Sequence, residues 1–145
     1  MARWGQVDYR QLLQLQKRLG KFEKVDRETL NEQLIKQLAV RMLDKVRKRT
    51  PADMYPAGSG KTSDTLKHGW TIGEVVKTGD RYEIEVINTV YYAAYVEYGY
   101  RNDDHADWVP GRFMMTISAQ ELEKDAPGII EKALVKKLRE VFGDD

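Results

Sequence analysis

The chain has 145 residues, 32% charged and 41% hydrophobic, a net charge of +1 and no cysteine. That size and balance predict one globular domain over residues 1–145, and no apolar run approaches a membrane span or a signal-peptide core. The lack of cysteine excludes disulfides, thiolate zinc sites and cysteine nucleophiles, and it fits synthesis in a reducing cytosol.

Residues 1–6 read as a loose terminus. Over residues 7–22, Leu12, Leu13, Leu15, Leu19 and Phe22 recur at mostly helical spacing, with Gly20 weakening the end. Asp26 suits the start of a second helix. Leu30, Leu34, Ile35, Leu38, Met42, Leu43 and Val46 then form an apolar stripe up to residue 49. Thr50-Pro51 ends it, because the residue before proline is pushed out of the helical region. The basic last turn Lys45-Val46-Arg47-Lys48-Arg49 suits the negative end of the helix dipole.

Residues 51–64, with two prolines and two glycines, predict an irregular exposed loop. Two strand-like runs follow at 66–77 and 82–90. In the second, Tyr82, Ile84 and Val86 alternate with Glu83, Glu85 and Ile87, and Thr78-Gly79-Asp80-Arg81 reads as the hairpin turn between the runs. Residues 91–98 read as extended or as a short helix, and 99–108 as a polar loop. Phe113, Met114, Ile117 and Leu122 suggest a helix that Pro127-Gly128 interrupts or restarts. Ile129, Ile130, Ala133, Leu134, Leu138 and Val141 form a last amphipathic helix. The order predicts an α+β domain: long N-terminal helices packed on a small antiparallel sheet, with a C-terminal helix.

The net charge hides an asymmetry. Residues 1–50 hold 13 Lys/Arg against 6 Asp/Glu, and residues 51–145 hold 11 against 17. Opposite halves could pack on each other or meet copies head to tail. A nucleic-acid module built on Arg41, Lys45, Arg47, Lys48 and Arg49 is the alternative reading, and a solvated basic helix face is the plainer one.

Catalytic constellations are weak. Gly58-Ser59-Gly60-Lys61-Thr62 resembles the end of a phosphate-binding loop, but Tyr55 stands where the first glycine belongs, and the segment follows a helix and precedes a strand. His105 sits among Asp103, Asp104 and Asp107, a setting that more often makes a turn than a metal site. Glu97 is the best single acid–base candidate. A structural role, through hydrogen bonds or pairing with Arg101 or Arg112, is the stronger reading. No enzyme activity, cofactor, metal or small-molecule substrate is expected.

The stretch YYAAYVEYGYRNDDHADWVPGRFMM, residues 91–115, concentrates five of the eight tyrosines before a Trp and Pro-Gly-Arg-Phe. Such residues suit surfaces buried on assembly. Acids outweigh Arg101 here, which argues against a base-stacking platform.

Thr50-Pro51, Thr65-Leu66-Lys67-x-x-Trp70, the Gly-Asp hairpin, YAAYVEYGYR and VPGRFMM together resemble the putative tail-component family of tailed phages and prophages. Members commonly join Thr-Pro to Leu-x-x-Trp by a short Asp-Thr-Gly turn, which the longer loop replaces here. The resemblance implies a structural neck or tail-completion protein at the head–tail junction. It also implies partners: other copies in a ring, and connector and tail proteins, with no membrane. Such a protein is made in the host cytoplasm and ends in the virion or a phage-like particle. The candidate interface is Tyr95, Tyr98, Tyr100, Arg101, Trp108 and Arg112, with about half of residues 91–98 turned inward.

Overall fold

A computed structural model describes residues 24–52, 64–102 and 107–143, with a few single positions between 10 and 20. The helix expected over residues 7–22 falls mostly outside the described residues, as do the Gly/Ser-rich part of the first loop, residues 53–63, and the acidic turn 103–106. The fold is α+β. Helix α1 (Lys24–Arg49) leads to a one-turn helix α2 (Thr65–His68), the strands β1 (Trp70–Ile72), β2 (Val76–Thr78), β3 (Arg81–Glu83) and β4 (Val86–Asn88), and the short helix α3 (Ala93–Tyr98). Strands β5 (Gly99–Arg101) and β6 (Trp108–Pro110) precede the long helix α4 (Met114–Phe142).

Helix α1 follows its predicted stripe, but burial is uneven. Ala39, Met42 and Val46 are buried, whereas Leu30, Leu34, Ile35 and Leu38 are half-buried. The core therefore lies under the C-terminal half of α1. It joins Met42 and Val46 to Leu66, Trp70, Tyr92, Val96 and Met114. Val46, Leu66 and Met114 are essentially out of water, which stabilises by about 1.5–3 kcal/mol per side chain.

The helix stop is tied to this core. The Thr50 N–H donates to the Val46 carbonyl at 3.0 Å, and the Thr50 hydroxyl accepts from the Trp70 indole N–H at 2.7 Å. Thr50 and Trp70 are both buried, and the Thr50 hydroxyl, which itself donates to the Val46 carbonyl at 2.5 Å, supplies the acceptor that the indole N–H needs out of water. The Thr-Pro and Lys-x-x-Trp elements are thus two ends of one contact.

The predicted hairpin forms with Gly79 at its turn, at φ +61°. It is divided into two ladders. Trp70 faces Asn88 and Ile72 faces Val86, whereas Val76 faces Glu83 and Thr78 faces Arg81. Glu74 and Val75 together oppose Ile84, which is a one-residue bulge in the first strand. The start of that run, Thr65–His68, is helical and not extended. The segment after the hairpin does not join this sheet: it is helix α3, followed by the separate β5–β6 ladder.

Helix α4 continues through Pro127 instead of breaking there. Leu122, Ala126, Ile129 and Ala133 are half-buried at i, i+4, i+7 and i+11, so the inward stripe keeps its phase across the proline. Packing on α1 outweighs the hydrogen bond that proline removes.

The charged halves meet at this junction. Glu121 of α4 accepts from the two terminal nitrogens, Nη1 and Nη2, of the Arg49 guanidinium and from Lys45 at 3.2 Å, and Lys45 lies 3.4 Å from Asp125. Hydrogen bonds from Arg49, then Lys45, pull the Glu121 pKa below 4.5, and the bond to Glu121 chiefly raises that of Lys45 above 10.5. A depressed carboxylate stabilises the fold above its unfolded pKa and loses that contribution as pH falls through the folded value. A raised lysine contributes below 10.5 and loses it as pH climbs through its folded value. Urea midpoints should therefore fall more steeply in acid for the native chain than for Glu121→Gln. Because these groups are partly solvated the difference is small, and parallel acid limbs would show that the pair contributes nothing.

Candidate functional site

The tyrosine-rich segment is helical, and that decides which rings face out. Tyr95 N–H bonds to the Tyr92 carbonyl at 3.1 Å and opens α3. Tyr92 and Val96, one turn apart, point into the core. Tyr91, Tyr95 and Tyr98 fall at i, i+4 and i+7 on the opposite side and are 58–66% exposed. Inward and outward positions thus follow a helical period and not strand alternation. Burial raises the Tyr92 pKa, and the ring of Tyr91 meets that of Tyr92 edge-on at 5.2 Å.

Two glycines let the chain cross itself here. Gly99 leaves α3 at φ +92°, and a Cβ there would sit 2.6 Å from both the Trp108 ring and the Val109 carbonyl oxygen. A Cβ on Gly111 would overlap the Glu97 carbonyl oxygen and the backbone of Tyr98. The Tyr-Gly-Tyr and Pro-Gly-Arg-Phe motifs are therefore the two sides of one backbone-to-backbone contact. Arg112 N–H donates to Val96 O at 2.7 Å and Phe113 N–H to Glu97 O at 3.1 Å, which closes the crossing.

Glu97 completes it. Its buried carboxylate accepts from the Met115 N–H at 2.9 Å and from the Thr116 N–H and hydroxyl at 2.9 and 2.8 Å. An anion on the free amides of a helix N-terminus satisfies donors that have no helical partner. The structural reading of Glu97 holds, with the first turn of α4 as its partner in place of the anticipated Arg101 or Arg112. Three donors from the first turn of α4 thus hold the carboxylate through both of its oxygens. Phe113, which precedes α4, is left-handed at φ +50°, ψ +42°, an unusual state for a bulky residue.

The six expected interface residues gather at this end of the molecule. Arg101 faces Trp108 across β5–β6, and Tyr100 faces Val109. The Tyr95 and Tyr100 rings meet edge-on at 6.3 Å. Trp108 is 59% exposed, Tyr100 is half-buried, and Arg101 and Arg112 are exposed. The expected polar loop over 99–108 is in its described part a two-stranded ladder, extended by Asn102 N–H to Asp107 O at 3.0 Å. Sequence reasoning missed Tyr91, Phe113 and Ile117, all exposed. A helical phase applied to residues 91–98 would have found Tyr91; no sequence signal marks the left-handed turn that exposes Phe113.

His105 with Asp103 and Asp104, and the Gly/Ser-rich loop, lie outside the described residues. His68 Nδ1 lies 2.9 Å from the Asp64 carbonyl oxygen. No described helix is long and apolar enough to cross a membrane.

The family described as Bacteriophage HK97-gp10, putative tail-component, matches residues 14–99, more than half of the chain. The chain belongs to this family. The HK97-gp10 match ends at Gly99, so Trp108, the Pro-Gly-Arg-Phe turn and α4 lie beyond it. No curated protein and no solved structure matches the chain. As a phage tail component it has a structural role in the phage particle.

Proposed function

We propose that the chain is a non-enzymatic neck or tail-completion subunit that joins head to tail as part of a ring of its own copies. It would be made in the host cytoplasm and carried into the head–tail junction. The observation that carries this reading is the aromatic end. There, backbone crossing and a buried carboxylate hold large rings outward, where they cover no core of their own. Exposed Tyr, Trp and Arg clustered on a rigid support are the residues that dominate interface energies. A ring needs a heterologous contact, in which this end meets a different surface on the next copy.

The nucleic-acid alternative is less well supported. Of the five basic residues it needs, Lys45 and Arg49 bind Glu121, Lys48 pairs with Asp44 at 2.8 Å, and Arg47 donates to the Trp70 carbonyl at 3.3 Å. Phosphate would have to displace these partners. Deleting the gene from its phage or prophage tests the proposal. Filled heads and finished tails that stay unjoined are expected, restored by supplying the chain in trans. Normal particles, or particles lacking tails altogether, would overturn the neck assignment.

A further inference from the structure

We infer that the outer edge of strands β3 and β4 is a docking site for an extended segment of a partner protein that presents a basic residue to Glu85 and an apolar residue to Ile87. The inference concerns a different surface from the aromatic end and stands or falls independently of it.

The extra residue lies on the β1–β2 side, so β3, Ile84-Glu85 and β4 follow one another opposite it with no inserted residue of their own. Gly73 N–H donates to Glu85 O at 2.8 Å, and Thr89 N–H to Gly69 O at 3.0 Å. Odd-numbered residues therefore turn their backbone groups toward the first strand. By alternation, Tyr82, Ile84 and Val86 turn theirs to the opposite edge. No backbone partner meets them there among the described residues. Two strands alone make a marginal sheet, and an open edge is a template for a further strand.

The side chains say which strand fits. The solvent face of this edge carries Arg81, Glu83, Glu85 and Ile87. Arg81 already meets Glu83 at 2.8 Å, so Glu85 supplies the excess negative charge, beside an Ile87 that is 43% exposed. Pairing with a second copy is disfavoured. Antiparallel registers centred on Glu83, Ile84 or Glu85 set a glutamate opposite a glutamate, and like charges directly opposite destabilise a ladder; registers centred on Tyr82 or Val86 avoid that clash but leave Glu85 with no opposite cation. A strand with lysine opposite Glu85 and valine opposite Ile87 satisfies both positions, with main-chain bonds supplying affinity.

Amide exchange on the full-length chain tests this, using the synthetic peptide Thr-Val-Thr-Lys-Thr-Lys-Thr at millimolar concentration. The amides of Tyr82, Ile84 and Val86 should exchange fast in the free chain and slow by about tenfold with peptide, while those of Glu83 and Glu85 change little. A peptide with glutamates in place of the lysines should not protect them. Glu85→Lys, on an exposed position, should weaken protection by about fivefold. Three results would overturn the inference: no protection, equal protection by both peptides, or protection of these amides by self-association of the chain alone.

Discussion

Gly111→Ala should destabilise the fold by about 3 kcal/mol or more, with a lower denaturant midpoint. The added methyl would overlap the Glu97 carbonyl oxygen and lie 2.6 Å from the carbonyl carbon of Tyr98 and 2.9 Å from the Gly99 amide. All three are backbone atoms, so no rotamer change relieves the contact. Moving them would lift Phe113 N–H from Glu97 O and draw the Glu97 carboxylate away from the first turn of α4. The same substitution at Gly128 is the control. Nothing lies within 4 Å of its Cβ position, and it sits inside α4, where alanine is favoured over glycine by about 0.5–1 kcal/mol. Opposite signs for the two variants are expected from urea titrations. If Gly111→Ala left the midpoint unchanged, the crossing would not be what holds this end together.

Much of this architecture was legible because local signals agreed with tertiary ones. The stripe on α1 and its stop at Thr50-Pro51 appear where periodicity and the proline rule put them. So does the turn at Gly79, and Tyr82, Ile84 and Val86 do alternate with Glu83, Glu85 and Ile87 between half-buried and exposed. Where reading failed, a distant contact outweighed a local rule. Proline 127 predicts a break, but the inward phase from Leu122 to Ala133 is continuous, and packing on α1 carries the helix through. The bulge at Glu74–Val75 leaves no mark in composition.

The candidate site shows the same division. Composition singles out residues 91–115 as a candidate surface, and the six named residues lie on α3, β5, β6 and the turn before α4. Their orientation could not be seen, because a run such as Tyr-Tyr-Ala-Ala-Tyr-Val-Glu-Tyr satisfies strand alternation and a helical face about equally well. The role of Glu97 was visible only as a type. Its partners, Met115 and Thr116, lie 18 and 19 residues on, and the crossing at Gly99 and Gly111 brings them into reach.

Trp108→Ala and Arg101→Ala should leave the chain folded and its particles defective. Both positions are exposed and lie opposite each other on β5–β6. Arg101 should cost less than about 0.5 kcal/mol of stability, as exposed positions do. Trp108 should cost somewhat more, because its ring edge rests over Gly99. In the proposed ring the balance would reverse: truncating an aromatic or arginine anchor removes about 2 kcal/mol or more of binding, near thirtyfold per contact. A closed ring repeats that loss at every interface, so a modest defect per contact becomes a severe one for the assembly. Each variant, placed in its phage or prophage, is expected to give native circular dichroism from the purified chain, with heads and tails separate by electron microscopy. Ile87→Ala on the hairpin edge would leave the aromatic end intact, and a ring defect there would implicate a different surface. Normal particles from both Trp108→Ala and Arg101→Ala would remove the aromatic end from the joining step. Unfolding of either would show instead that these side chains support the monomer.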